Sequence, residues 1–244
     1  HGFDVEPTPD TFSLYVSYMA AYINPRSVST YLSGICHCLE STFPDVRQAR
    51  LSPLVKRTLR GALRSKGIAI NRKLALTPAN LRSIITHPCT NENYIDTALF
   101  HAMLLTGFFG LLRLGEMTAH PTPSLIDPMK FICRASLQVT SSSYQFLLPA
   151  NKTDPFFEGN RIIIRATSDD IDPYHPFLNY IACRDHEFPF HTQLFLTSHG
   201  SVPTSRWFLE RLHRHLPPSF GGQSLRAGGA TWLASIGTPT DVIQ

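Results

Sequence analysis

Apolar residues recur at helical spacing from the start of the chain. In TPDTFSLYVSYMAAYI, Phe12, Tyr15, Val16, Met19 and Ile23 fall on one face, and Thr8 or Thr11 stands where a cap belongs. The pattern restarts after Pro25 in NPRSVSTYLSGICHCLESTF, with Val28, Tyr31, Leu32, Ile35 and Leu39 aligned. SPLVKRTLRGALRSKG predicts a third helix: Ser52 caps it, Pro53 takes the first turn and Gly67 stops it. KGIAINRKLA has no long apolar face and reads as an exposed linker. LTPANLRSII then predicts a helix capped by Thr77 with Pro78 at its first position. YIDTALFHAMLLTGFFGLLRLGEMT predicts a buried helix to about Leu105, a break at Thr106 and Gly107, and another short helix.

The period changes after that. KFICRASLQV, YQFLLPA and NRIIIRAT read as strands, and the last two flank a loop with Pro155 and Gly159, which predicts a hairpin. HPFLNYIACRDHE and SRWFLERLHRHL return to helix. The predicted fold class is mainly α with a small antiparallel β-sheet. An all-helical unit covers residues 1–70, and an α+β unit covers residues 71–244. The chain opens on His1, and TPTDVIQ at its other end reads as the first turn of a helix, so a fragment cut at both ends is expected.

Composition agrees with two folded units: 244 residues, 43% hydrophobic and 16% charged, leave enough apolar surface for a core in each. No apolar run reaches the roughly 18 residues of a membrane span, and residues 1–10 do not read as a signal peptide. Cys36, Cys38, Cys89, Cys133 and Cys183 form no CxxC pair, which predicts reduced thiols in an intracellular protein. Cys36-His37-Cys38 lacks a second ligand pair, so no metal site is expected.

Net charge is only +4, but its distribution is uneven. Residues 46–73 hold Arg47, Arg50, Lys56, Arg57, Arg60, Arg64, Lys66, Arg72 and Lys73 and no acid. Lys56, Arg60 and Arg64 are four apart and share one helix face. A solvated face ordinarily mixes signs at i,i+4, whereas a block of one sign suits phosphates.

Three further cations stand out by context. Arg113 lies in the apolar TGFFGLLRLGEMT, where a buried charge needs a partner or a ligand; Glu116 is near enough for a structural pair. Lys152 sits in LPANKTDPF at the hairpin tip, either solvated or delivering a charge to a neighbouring cleft. Arg226 precedes Ala227, Gly228, Gly229 and Ala230, small residues that permit tight helix packing or leave room for a ligand. Together the three have the makings of a phosphate clamp, with two arginines on the non-bridging oxygens and a lysine as proton donor.

In order and spacing, these motifs resemble the tyrosine recombinases, the DNA breaking–rejoining superfamily that includes phage-type integrases. HPFL, LPANKTDPFFEG and SLRAGGATWLASIGTPTDVIQ are most similar to the recombinases of Crypton-type eukaryotic mobile elements. The resemblance spans nearly the whole chain, with a core-binding domain first and a catalytic domain from about Leu74. It implies that Arg113 and Arg226 are the two catalytic arginines, with Glu116 the usual acidic neighbour of the first, and that Lys152 is the catalytic lysine. It implies two domains that clamp duplex DNA, the basic stretch on the phosphates, a synaptic tetramer and a nuclear location. It implies no cofactor, no metal and no membrane. The implied chemistry is attack by a tyrosine to give a 3′-phosphotyrosyl link, with the lysine protonating the departing 5′-oxygen.

Two positions depart from that pattern. The second arginine box carries histidine three residues before its arginine; here the residue is Gln223, which donates a hydrogen bond but does not titrate near neutrality. A partly impaired site is therefore expected. The nucleophile belongs after Arg226, yet all eight tyrosines (Tyr15, Tyr18, Tyr22, Tyr31, Tyr94, Tyr144, Tyr174 and Tyr180) precede it. The chain as written is expected to bind DNA without cleaving it. Its rivals are a non-catalytic DNA-binding relic or domesticated protein, and a helical module that offers its basic face to acidic proteins. His199, His213 and His215 read as surface residues, and Ser224 lacks a nucleophile's context.

Overall fold

The computed structural model describes residues 6–68, 72–87, 93–149, 159–168 and 171–239. Lys152 and residues 240–244 lie outside them. The chain divides into two compact units, His1–Asn71 and Arg72–Gln244.

Among the described residues the first unit is four helices: α1 (Pro9–Met19), α2 (Pro25–Leu39), α3 (Val46–Leu51) and α4 (Pro53–Lys66). Thr8 rather than Thr11 caps α1, accepting the Thr11 N–H at 3.2 Å, and Ser52 caps α4 by accepting that of Val55 at 3.3 Å. The core is small: Phe12, Val16, Val28, Leu32, Cys36, Val46 and Val55. On α2 the buried row is Val28, Leu32 and Cys36, so Tyr31, aligned with it in the sequence, is left 49% exposed. The short α3 has no counterpart among the sequence-predicted elements; it is too brief to show a period, and Val46 is its one buried residue, with Ala49 packed beside it.

The second unit comprises α5 (Pro78–Thr86), α6 (Tyr94–Phe109), α7 (Leu114–Met117), β1 (Gln138–Val139), β2 (Ser143–Leu148), β3 (Asn160–Arg165), α8 (Tyr174–Glu187), α9 (Ser205–His215) and α10 (Gln223–Ser235). Thr77 and Asn80 close a reciprocal capping box on α5. Helix α6 is the centre of the core, buried almost all round from Ala98 to Phe108 and packed on α8 and α10. It does not break at Thr106 and Gly107. Gly107 is buried inside the helix, where a Cβ would crowd Met117 and Leu225.

The sheet is antiparallel in the order β1-β2-β3, and β2 pairs with β3 from Ser143↔Arg165 to Leu148↔Asn160, as a hairpin requires. Its inner face presents Tyr144, Phe146, Leu148 and Ile164 to the core. The segment KFICRASLQV is not a long strand; only Gln138 and Val139 join the sheet. Its earlier backbone bonds elsewhere: Arg134 N–H donates to the Thr192 carbonyl at 2.7 Å, and the Ile132 carbonyl accepts from Leu194 at 2.8 Å. Across α8, Arg184 is buried to 1% exposure and donates to the carbonyls of Phe188, His191 and Gln193, so it fastens the loop that leaves the helix. Among the described residues, no helix is long and apolar enough to cross a membrane.

Candidate functional site

In the first unit, α4 turns Val55 into the core and packs Leu59 and Ala62 against it. The opposite side exposes Lys56, Arg57, Arg60 and Arg64, with Lys66 at the end. Among the described residues the side chains of Lys56, Arg60, Arg64 and Lys66 make no ion pair, which leaves an uncompensated basic strip. The block is less uniform than the sequence implies, because an acid reaches it from α2: Glu40 takes a two-point bond from Arg47, at 2.5 and 2.6 Å. That contact holds the Glu40 carboxyl below its usual range and raises the Arg47 guanidinium. Arg50 donates to the Ser29 carbonyl at 3.3 Å and is half-buried.

Arg72 and Lys73 belong to the second unit. The end of KGIAINRKLA is no free linker, because residues 73–76 are bonded to the approach and first turn of α10. Lys73 Nζ donates to the Pro218 carbonyl at 2.6 Å, Leu74 N–H to Ser219 at 2.9 Å and Leu76 N–H to Ser224 at 3.1 Å.

Arg113 owes its place to the way α6 ends. The N–H of Leu112 donates to the Gly107 carbonyl at 3.0 Å and that of Leu111 to Phe108 at 3.4 Å, a Schellman closure. Such a closure needs a left-handed residue, and here it is a leucine, Leu111, at φ 52. The side chain costs about 1–2 kcal/mol in that conformation. The reversal turns Arg113 outward as the N-cap of α7, so the guanidinium is 50% exposed rather than buried as its apolar neighbours imply. Glu116 holds it from one turn on, accepting the Arg113 backbone N–H at 2.7 Å and Nη1 at 2.9 Å.

Arg226 lies one turn into α10, and Gln223 is that helix's first residue, exposed and three positions earlier, on the same side. The small residues after Arg226 serve packing. A Cβ on Gly228 would fall on the backbone of Leu76, and one on Gly229 on the carbonyl of Phe108. Ser224 is buried, accepting the Gly221 N–H at 2.9 Å, and is a structural residue. Gly237, at φ +81, closes α10 with a second Schellman motif: Thr238 N–H to Leu233 at 3.0 Å and Gly237 N–H to Ala234 at 3.1 Å.

Arg113 and Arg226 line one cleft of about 580 Å³. Arg161 of β3 lines it too, and among the described residues Glu116 is the single acid in the lining. Half-buried Arg226 has neither an ion pair nor a side-chain hydrogen bond among the described residues, so it faces the cleft without a counter-charge. Leu148 and Asn160, the last pair of β2 and β3, also line the cleft; Lys152 lies outside the described residues. The structure thus brings both candidate arginines together and leaves Gln223 off the cleft's lining. Sequence reasoning passed over Arg161, whose signal was the alternation in NRIIIRAT.

Solved structures with a similar fold include a site-specific recombinase and a transposon integrase. The XerH site-specific recombinase bound to palindromic difH substrate, in a post-cleavage complex, is 12% identical with a TM-score of 0.58, over 96% of this chain and 61% of that one. Its pre-cleavage complex gives 15% identity and a TM-score of 0.51, over 91% and 62%. The Tn1549 transposon integrase in complex with circular intermediate DNA gives 16% and 0.56, over 97% and 76%. The fold is that of the tyrosine recombinases. This chain spans about 61–62% of the length of the XerH chains it matches. No family model and no curated protein matches the sequence.

Proposed function

We propose that this chain is the DNA-binding core of a tyrosine recombinase, with Arg113 and Arg226 gripping one phosphodiester of a duplex. The observation that carries the reading is the shared cleft, which two arginines far apart in sequence both line and where Arg226 has no counter-charge among the described residues. A bidentate arginine on each side of a phosphate holds its non-bridging oxygens and stabilises the added charge of a five-coordinate transition state. Lys152 is the proton donor to the departing 5′-oxygen, and Gln223, off the cleft's lining, stands in the histidine's sequence position without acid–base capacity. The basic strip of α4 supplies sequence-independent contacts to the backbone. Work in a nucleus, on behalf of a mobile element of the Crypton type, is the biological setting that the quoted segments favour.

Residues 227–244 hold no tyrosine, and none of the four tyrosines of the second unit lines the cleft. The Tyr144 hydroxyl shares a buried hydrogen bond with Thr106 at 2.9 Å, and Tyr180 donates to the Leu194 carbonyl at 3.0 Å. Burial pushes both phenols well above their usual range, the reverse of an activated nucleophile. We infer that this 244-residue chain holds DNA without cutting it, which keeps a non-catalytic DNA-binding role as the second reading.

Binding to a labelled duplex across a salt series tests the proposal. The wild type binds at low salt and loses affinity linearly in log salt. Arg113→Ala and Arg226→Ala remove protection at one phosphate in ethylation interference while bulk affinity changes little. No binding at low salt, or equal loss at every phosphate, refutes the clamp. A covalent adduct on a nicked duplex refutes the binding-only reading.

A further inference from the structure

Strand β3 alternates cleanly. Ile164 is buried and Ile162 packs on the core, while Arg161, Ile163 and Arg165 are exposed on the sheet's outer face. Arg161 stands opposite Leu147 on β2. Its Nη1 donates to Gln138 Oε1 at 3.3 Å, and the same oxygen accepts Gln145 Nε2 at 2.7 Å. Gln138 therefore steadies the guanidinium from β1 without neutralising it. Among the described residues Arg161 has no ion pair. An arginine carries five N–H donors, so one weak bond to an amide leaves most of the fork uncommitted.

Arg161 also lines the cleft that Arg113 and Arg226 share. Glu116 is already bonded twice by Arg113. Among the described residues, three arginines and one committed glutamate line the cleft, more positive charge than a single phosphodiester between two arginines requires. Such an excess belongs where a polyanion runs past. We propose that Arg161 is a third phosphate contact, holding the sugar–phosphate backbone beside the phosphodiester gripped by Arg113 and Arg226. The inference rests on the duplex-DNA reading above and adds the sheet to the surfaces that touch DNA.

Duplex affinity measured over a salt series for the wild type, Arg161→Gln, Arg161→Lys and Arg165→Gln decides it, with thermal melts to confirm folding. Arg161→Gln lowers the slope of log affinity against log salt by about 0.9, the value for one lost phosphate contact. Arg161→Lys keeps the slope, since the charge remains. Arg165→Gln, on the same face but off the cleft lining, keeps it as well. If the wild type binds and Arg161→Gln retains the full slope, the third contact is wrong while the recombinase reading stands. If Arg165→Gln loses as much as Arg161→Gln, the effect is general charge and the third contact is again wrong. If the wild type binds no duplex at low salt, both readings fall together.

Discussion

Gly229 of α10 lies so close to the end of α6 that a Cβ would meet the Phe108 carbonyl oxygen. Relieving that overlap would move one helix against the other, so Gly229→Ala is expected to destabilise the second unit by about 1–3 kcal/mol. Gly61, on exposed α4, has nothing within 4 Å of a Cβ. Gly61→Ala is expected to stabilise the first unit by about 0.5–1 kcal/mol through helix propensity and a less flexible unfolded chain. Denaturant midpoints of the two variants should move in opposite directions.

Arg184 is a structural cation. Its guanidinium is buried and donates to three carbonyls of the loop after α8 and to Asp185 Oδ1 at 3.0 Å. Arg184→Met fills much of the volume but removes the guanidinium's hydrogen bonds to those carbonyls. A loss of roughly 3–5 kcal/mol is expected, read as a lower thermal midpoint with faster amide exchange over residues 188–193. Unchanged stability would show that the loop holds itself.

Acid should weaken the second unit before its carboxylates titrate. Burial among apolar neighbours, with the nearby His215 adding to it, lowers His101 from 6.5 to about 4. His215 is lowered as well, by burial and then by Arg214 and His87. A histidine depressed in the folded state favours the unfolded chain once the latter protonates. Its contribution is therefore intact above pH 6.5 and is lost as pH falls from 6.5 towards 4, by roughly 3 kcal/mol for His101. His101→Phe should flatten the pH–stability curve across that window; a variant with the wild-type slope there would assign the dependence elsewhere.

Gln223 and Arg226 share one side of the first turn of α10. Gln223 does not line the cleft, so Gln223→His tests whether a titrating group on that side of the turn reaches the proposed phosphate. The variant's affinity for duplex, relative to wild type, should rise as pH falls through about 6.5 and converge above pH 8. A ratio that stays flat with pH would put residue 223 out of reach of the DNA.

The helices were legible wherever a cap and a period coincide, as at Ser52 with Pro53 and Thr77 with Pro78. The failures have local causes. Gly107 resembles a helix stop in the sequence, yet its missing side chain serves contacts from α7 and α10, which no local pattern contains. Apolar neighbours suggested a buried Arg113, but the left-handed backbone at Leu111 decides its direction. The glycines after Arg226 left packing and ligand space equally open until Leu76 and Phe108 were seen against them. Arg161 joins the cleft only because β3 and the end of α6 meet in space.

The reversal at Leu111 has one more consequence. It is closed by hydrogen bonds between the chain's own backbone groups, and Glu116 fixes the guanidinium that follows. None of these bonds involves a ligand. Arg113 is thus oriented during folding, and the entropy of ordering it does not count against the proposed DNA binding. The left-handed leucine is a standing cost in stability, and what it returns is a preorganised cation.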